Sequence, residues 1–143
     1  MDQLLCFRVA DETYGLEIEA IQEVVKAPRI NPVCRTPQMI LGLINLHGSP
    51  RTVINLPTLL GFDQGPLDPR LVALTPGCSG LALAVTELLG IRPLDPDHVL
   101  PHPEERPEAC LRAVLQMDDA MISLLHLERL RQRLERACTL MEA

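Results

Sequence analysis

The sequence predicts an all-β domain built of small barrels and ended by one helix. Apolar runs of strand length recur at close spacing from Leu4 to Leu125, about nine or ten of them. Turn-forming residues punctuate these runs, and no long helical pattern separates them, which disfavours a parallel βαβ architecture. The period changes only at the end of the chain. There Leu127, Leu130, Leu134, Cys138 and Met141 recur at steps of three and four, one face of a helix.

Leu4–Ala10 reads as the first strand, with Arg8 as its polar break. Asp11-Glu12 is the expected turn, and Thr13–Ile18 resumes with period-two alternation. Ala20–Val25 fits either a helical turn or a strand, and Val24-Val25 favours strand at its end. Pro28, Pro32 and Pro37 exclude a long helix between them. Thr36 and Pro37 suit the N-cap and first position of a short helical turn over Pro37–Ile40. Gly42–Leu46 is a strand, His47-Gly48 a turn, and Thr52–Leu56 the returning strand. Pro50 marks its start as an edge or a bulge. Pro57–Leu60 reads as a single helical turn closed by Gly61.

Asp63–Pro69 is the clearest linker. After it come Leu71–Leu74, a Pro76-Gly77 turn, Gly80–Val85 and a short run at Leu88–Ile91. Pro93–Glu108, with five prolines, reads as a loop. Leu111–Gln116 and Met121–Leu125 form a hairpin about the turn Met117–Ala120. These elements give one domain over 1–143. Its approximate sub-barrels are 13–62 and 70–125, with an N-terminal strand at 4–10 and a C-terminal helix at 126–141. The apolar seam of that helix can dock on the barrels or on a second copy of the chain.

Composition narrows the function. Apolar residues make up 47% of the 143, enough for a core, but aromatics are only 2%: Phe7, Tyr14 and Phe62. Few flat rings and a net charge of −6 argue against nucleic acid as a partner. No run approaches the roughly 18 apolar residues of a membrane span, and Met1-Asp2-Gln3 carries no positive charge of a signal peptide. A cytoplasmic protein that inserts no segment in a membrane is expected. Five scattered cysteines without Cys-x-x-Cys spacing fit buried thiols in a reducing compartment.

Catalytic motifs are missing. The chain has no nucleotide-binding glycine loop, no Gly-x-Ser-x-Gly turn and no buried carboxylate pair. His98 and His102 have metal-like spacing, but prolines break their segment, so neither a metal nor another cofactor is expected. Asp118-Asp119 is explained by turn chemistry. Glu23 and His47 are the polar residues most embedded in apolar segments. Read alone, they are either exposed strand residues or a pair that meets in space and shapes a docking surface.

The order of several short patterns resembles the CheW-like family, the coupling proteins of bacterial chemosensory arrays. They are Phe7-x-Val9 followed by Tyr14-Gly15-Leu16, then Ile21-x-Glu23-Val24, then Pro37 ahead of Ile40-x-Gly42-Leu43-Ile44-Asn45-Leu46-x-Gly48, then Val53-Ile54-Asn55-Leu56. The match is weaker over Leu71–Ile91 and returns at Leu115–Leu130. The resemblance implies two packed SH3-like β-barrels, no enzymatic activity, and a role bridging the regulatory domain of a CheA-type sensor histidine kinase and a methyl-accepting chemotaxis receptor. It assigns kinase binding to Ile21, Gly42 and Val53, and receptor binding to Glu23 and His47. His47 stands where the family carries arginine. It offers one hydrogen bond in place of a two-bonded guanidinium fork. Asn55 stands where aspartate is common, and Ala84 where an acidic residue is usual. Ser49-Pro50-Arg51 interrupts a β-branched run, and Arg51 is a weak substitute for the lost guanidinium. The alternative reading is a self-associating or peptide-binding regulatory module with no receptor partner.

Overall fold

The computed structural model describes residues 3–26, 28–33, 38–63, 65–78, 80–94, 99–101, 111–117 and 120–142. The strands follow the apolar runs. β1 (Gln3–Val9) and β2 (Glu12–Glu17) form a hairpin whose two-residue turn is Ala10–Asp11. The turn sits one residue before the expected Asp11-Glu12, because Glu12 pairs with Val9 and opens β2. The ambiguous segment Ala20–Val25 is strand from Ile21 onward, and the helical turn lies before it, at the end of the expected strand Thr13–Ile18. A single 3-10 turn at Ile18–Ala20 leads into β3 (Ile21–Lys26).

β4 (Ile40–Leu46) and β5 (Ser49–Asn55) are joined by His47-Gly48. His47 has φ +51 and Gly48 φ +85. Positive φ at both central residues is the tight hairpin turn that matches strand twist, and histidine is among the side chains that tolerate it. Pro50 faces away from β4 and lies beyond the part of β5 that pairs with β7, so no ladder bond calls on its missing N–H. Asn55 caps the turn α1 (Leu56–Leu59): the Thr58 N–H donates to its side-chain oxygen at 3.2 Å. Gly61, at φ +91, ends it. The expected turn at Pro37–Ile40 falls partly outside the described residues.

β6 (Arg70–Leu74), β7 (Ala82–Ala84) and β8 (Glu87–Pro93) follow the linker. Within the segment expected to be all loop, Val99–Pro101 pairs with the next strand as β9; 95–98 and 102–110 lie outside the described residues. β10 (Leu111–Met117) and β11 (Ala120–Leu125) form the last hairpin, and α2 (Leu127–Glu142) ends the chain.

The described strands make two sheets, ordered β3-β6-β7-β5-β4 and β8-β1-β2-β11-β10-β9. The sheets do not divide the chain at the linker, as the 13–62 and 70–125 division expects. β6 and β7 lie after the linker yet pair with β3 and β5. The chain crosses between sheets at Ile18–Ala20 and again between β7 and β8. A linker composition marks where a chain turns, whereas sheet membership is decided by which apolar faces meet. The contacts β5–β7 and β2–β11 are parallel, and both join strands distant in sequence.

One core fuses the two sheets. Phe7, Val9, Tyr14 and Leu16 from the six-stranded sheet pack with Ile54, Val72, Leu74 and Leu83 from the five-stranded sheet. Leu130 and Leu134 of α2 belong to the same core. The first half of the helical seam is therefore used within the fold and is closed to a second copy. The side chains of Cys138 and Met141 lie outside the described ones. Each sheet has a further cluster of its own, around Leu4, Cys6, Leu115 and Ile122 in one and Ile44, Val53, Leu71 and Ala82 in the other. β1 is thus buried on both faces, which is why its run lacks polar alternation. Cys6 lies in that core as a free thiol, and burial pushes its pKa up. Phe7→Ala removes a fully buried ring stacked against Tyr14. It is expected to cost about 4 kcal/mol, measured as a shift in the urea midpoint.

Candidate functional site

The five-stranded sheet brings its two ends together through polar side chains. His47, on the β4–β5 turn, lies across from Glu23 on the end strand β3, with Nε2 and Oε1 2.6 Å apart. A carboxylate accepts, so Nε2–H donates. Arg51 on β5 reaches the same end strand: its Nη2 donates to Gln22 Oε1 at 3.0 Å. Its Nη1 donates to the carbonyls of Gly80 at 3.2 Å and Leu74 at 3.5 Å. Two side chains from one hairpin therefore clasp β3. Arg51 is held by Gln22 and two main-chain carbonyls, not by Glu23, so it does not replace the family's arginine.

At the other end of the sheet, Asn31 forms an isolated bridge to β4. Its N–H donates to the Leu43 carbonyl, and the Leu43 N–H donates to the Asn31 carbonyl, each at 2.8 Å. This approach is why position 42 is glycine. Gly42 has φ +146, and an added Cβ would lie 2.3 Å from the Asn31 carbonyl oxygen. No L side chain fits there without moving the backbone of 28–33.

The residues assigned to kinase binding are placed unequally. Gly42 and Val53 are opposite each other on β4 and β5. Gly42 is buried, and Val53 is wholly so, packed with Ile44, Leu71, Ala82 and Ala84. Ile21 is half-buried on β3 and packs against the main core. They shape the rim from beneath, and the side chain of Val53 offers no surface to a partner. Glu23 and His47, which the resemblance assigns to the receptor, do meet. The exposed apolar side chains of this region are Val24 on β3 and Val33 in the 28–33 segment. No sequence pattern singles out Val33, which follows a proline outside any strand. Val24 was visible as a strand former, but its outward direction depends on which face of β3 is buried.

A cleft of about 370 Å³ lies where β2 turns toward β3 and β11 enters α2. Leu16, Ala20 and Leu124 line it, with Glu17, Glu19 and His126. His126 is engaged: the Arg129 N–H donates to its Nδ1 at 3.2 Å and caps α2. Among the described residues, the carboxylates with a displaced pKa are Asp68 and Glu128, and both are held below the usual range. The causes are hydrogen bonds from Arg70 and Arg131 respectively. Such groups are stabilised as anions, the opposite of what a general acid requires. Among the described residues, no three His, Cys, Asp or Glu side chains converge on one point. His98, His102, Asp118 and Asp119 lie outside the described residues. No described helix is long and apolar enough to cross a membrane.

Comparison with known proteins agrees with this architecture. Protein FrzA of Myxococcus xanthus is 31% identical over 104 residues, covering 71% of this chain and 64% of FrzA. The probable chemotaxis protein CheW of Rhizobium etli is 28% identical over 137 residues, covering 90% of this chain and 86% of that protein. The crystal structure of the scaffolding protein TtCheW from Thermoanaerobacter tengcongensis superposes with a TM-score of 0.78 at 29% identity. The match covers 87% of this chain and 88% of that one. The likeness carries the two SH3-like barrels and C-terminal helix expected from the sequence. The model of the CheW-like domain matches residues 3–135, nearly the whole chain, which therefore belongs to the CheW-like domain family.

Proposed function

We propose that the chain is a non-enzymatic coupling protein acting in the cytoplasm. In this reading it joins the regulatory domain of a CheA-type sensor histidine kinase to a chemoreceptor in chemotaxis-like signalling. The observation that carries the reading is the clasped rim of the five-stranded barrel. Two short side-chain contacts and one main-chain bridge hold β3, the β4–β5 turn and segment 28–33 as one surface. A rim fixed in advance loses little conformational freedom when a partner binds. Family membership supports the same role. Gly42, Val53 and Ile21 act in it by shaping the kinase-facing rim, and the exposed Val24 makes the apolar contact. Glu23 and His47 face the receptor.

The test is binding of a cognate kinase regulatory domain to Val24→Asp. This residue is 39% exposed, so the fold tolerates the change. Affinity is expected to fall about tenfold or more, because a charge enters an apolar contact. Unchanged affinity overturns the assignment of this rim.

A second expectation concerns His47. Arginine in its place can hold Glu23 by two bonds and keeps a permanent charge for the receptor. His47→Arg is expected to tighten binding to a receptor cytoplasmic fragment by roughly three- to tenfold. An unchanged titration shows that the Glu23–His47 pair serves only to close the barrel.

A further inference from the structure

The exposed side chains of β3 are Gln22, Val24 and Lys26, in that order along the strand. Val24 and Lys26 are two residues apart, so they share a face, with Cα atoms about 7 Å apart. Arg29 follows within about 11 Å of chain and is also exposed. In a chain of net charge −6 this is a local excess of positive charge. Among the described residues these charges are uncompensated: neither Lys26 nor Arg29 forms a side-chain ion pair. Arg51 donates to neutral oxygens, those of Gln22, Gly80 and Leu74, and these bonds leave its charge in place. Val24 thus has a cation on each side along the strand: Arg51, bonded to Gln22, and Lys26.

The neighbouring carboxylates are already committed. Glu23 is bonded to His47. Asp68 is buried and accepts from Arg70 and from the Leu88 N–H. Across the sheet Lys26 lies opposite Arg70, not opposite an acid. Like charges directly opposite one another weaken a strand pair. Asp68 relieves Arg70 of that repulsion and leaves Lys26 without a counter-charge, so Lys26 offers its charge outward.

We infer that the β3 rim takes an acidic protein surface, one that sets carboxylates on either side of an apolar side chain seated at Val24. The inference rests on the kinase-docking reading and names the chemistry of the partner's side: the regulatory domain meets this rim with Asp or Glu. Exposed charge at a rim acts mainly on the rate of encounter and on its salt dependence, whereas the apolar centre sets how long the complex lasts. An anionic membrane fits less well. The net negative charge of the whole chain repels it, and three cations fall short of the clusters of about four to eight that hold lipid headgroups.

The test is stopped-flow association of the full chain with the cognate kinase regulatory domain at about 50 mM and about 500 mM NaCl, where screening differs most. The unaltered chain is compared with Val24→Asp and with the double variant Lys26→Glu/Arg29→Glu. The unaltered chain is expected to associate at least about fivefold faster at the lower salt. At low salt the double variant should associate about tenfold more slowly, lose most of the salt dependence, and keep its dissociation rate within about twofold. Its melting temperature should not fall, since a glutamate across from Arg70 removes a like-charged pair. Association indifferent both to salt and to the double variant overturns the inference. If Val24→Asp still weakens binding in that case, the rim remains the kinase-facing surface. Binding that none of these substitutions alters, or no binding by the unaltered chain, overturns both readings. Binding of the unaltered chain to phosphatidylserine vesicles in preference to the kinase domain, lost in the double variant, assigns the patch to a membrane and also overturns the inference.

Discussion

Gly42→Val is expected to lower the melting temperature by roughly 10 °C, corresponding to about 2–3 kcal/mol. The new Cβ would sit 2.3 Å from the Asn31 carbonyl oxygen, and a β-branched residue would be forced to φ +146. Neither problem is relieved by a rotamer change, because the obstacle is main chain. Segment 28–33 must move away, and both Asn31–Leu43 hydrogen bonds are lost. The sequence alone suggests that a bulky residue at 42 blocks a partner without disturbing the fold. The buried position and the Asn31 bridge predict otherwise. Affinity for the kinase domain should fall together with stability, and the Leu43 amide should exchange faster with solvent. Wild-type melting and exchange would remove the structural role given to Gly42.

Asp68→Ala is expected to destabilise the chain by about 2–3 kcal/mol. Only 7% of the Asp68 side chain is exposed. It accepts from the Arg70 N–H at 2.9 Å, Arg70 Nε at 3.0 Å and Arg70 Nη2 at 2.9 Å. It also accepts from the Leu88 N–H at 2.9 Å, while its own N–H donates to the Val85 carbonyl at 2.8 Å. The linker is thereby fastened to the start of β8. Alanine leaves the Leu88 N–H and the Arg70 guanidinium without these partners.

The same bonds set a pH dependence. Arg70 above all holds the Asp68 carboxyl well below the usual carboxylate range. The unfolded chain then takes up the proton first as pH falls. The stabilisation is complete above the unfolded value near pH 4. It is lost as pH drops from there through the folded value. Urea midpoints at about pH 7 and pH 3 should therefore differ less for Asp68→Ala than for the unaltered chain. Equal differences in the two proteins would assign the acid sensitivity to other groups.

Local structure was legible where apolar period and turn chemistry agree. The β4–β5 hairpin and the capped turn after Asn55 follow from nearest-neighbour rules, and α2 follows from its spacing. Sheet membership did not, because β6 joins β3 and β2 joins β11 through contacts that no local pattern encodes. The Glu23–His47 meeting was one of two readings open to the residues, and the barrel's closure decides between them. The resemblance assigns Gly42 to kinase binding, and its neighbour within the fold is not visible in the sequence. Its constraint is Asn31, eleven residues earlier in a proline-rich stretch that carries no strand pattern. For Val53 the residues leave core filling and a partner-facing role both open, because β-branched residues suit both faces of a sheet. Its burial depends on packing with Ile44, Leu71, Ala82 and Ala84, which the sequence does not announce.

The most direct measurement is a calorimetric titration of the full chain with the regulatory domain of its cognate CheA-type kinase, alongside Val24→Asp. One-to-one binding is expected, with a Kd on the order of micromolar. The variant should bind at least about tenfold more weakly at an unchanged melting temperature. No binding by the unaltered chain, or equal binding by both proteins, would contradict it.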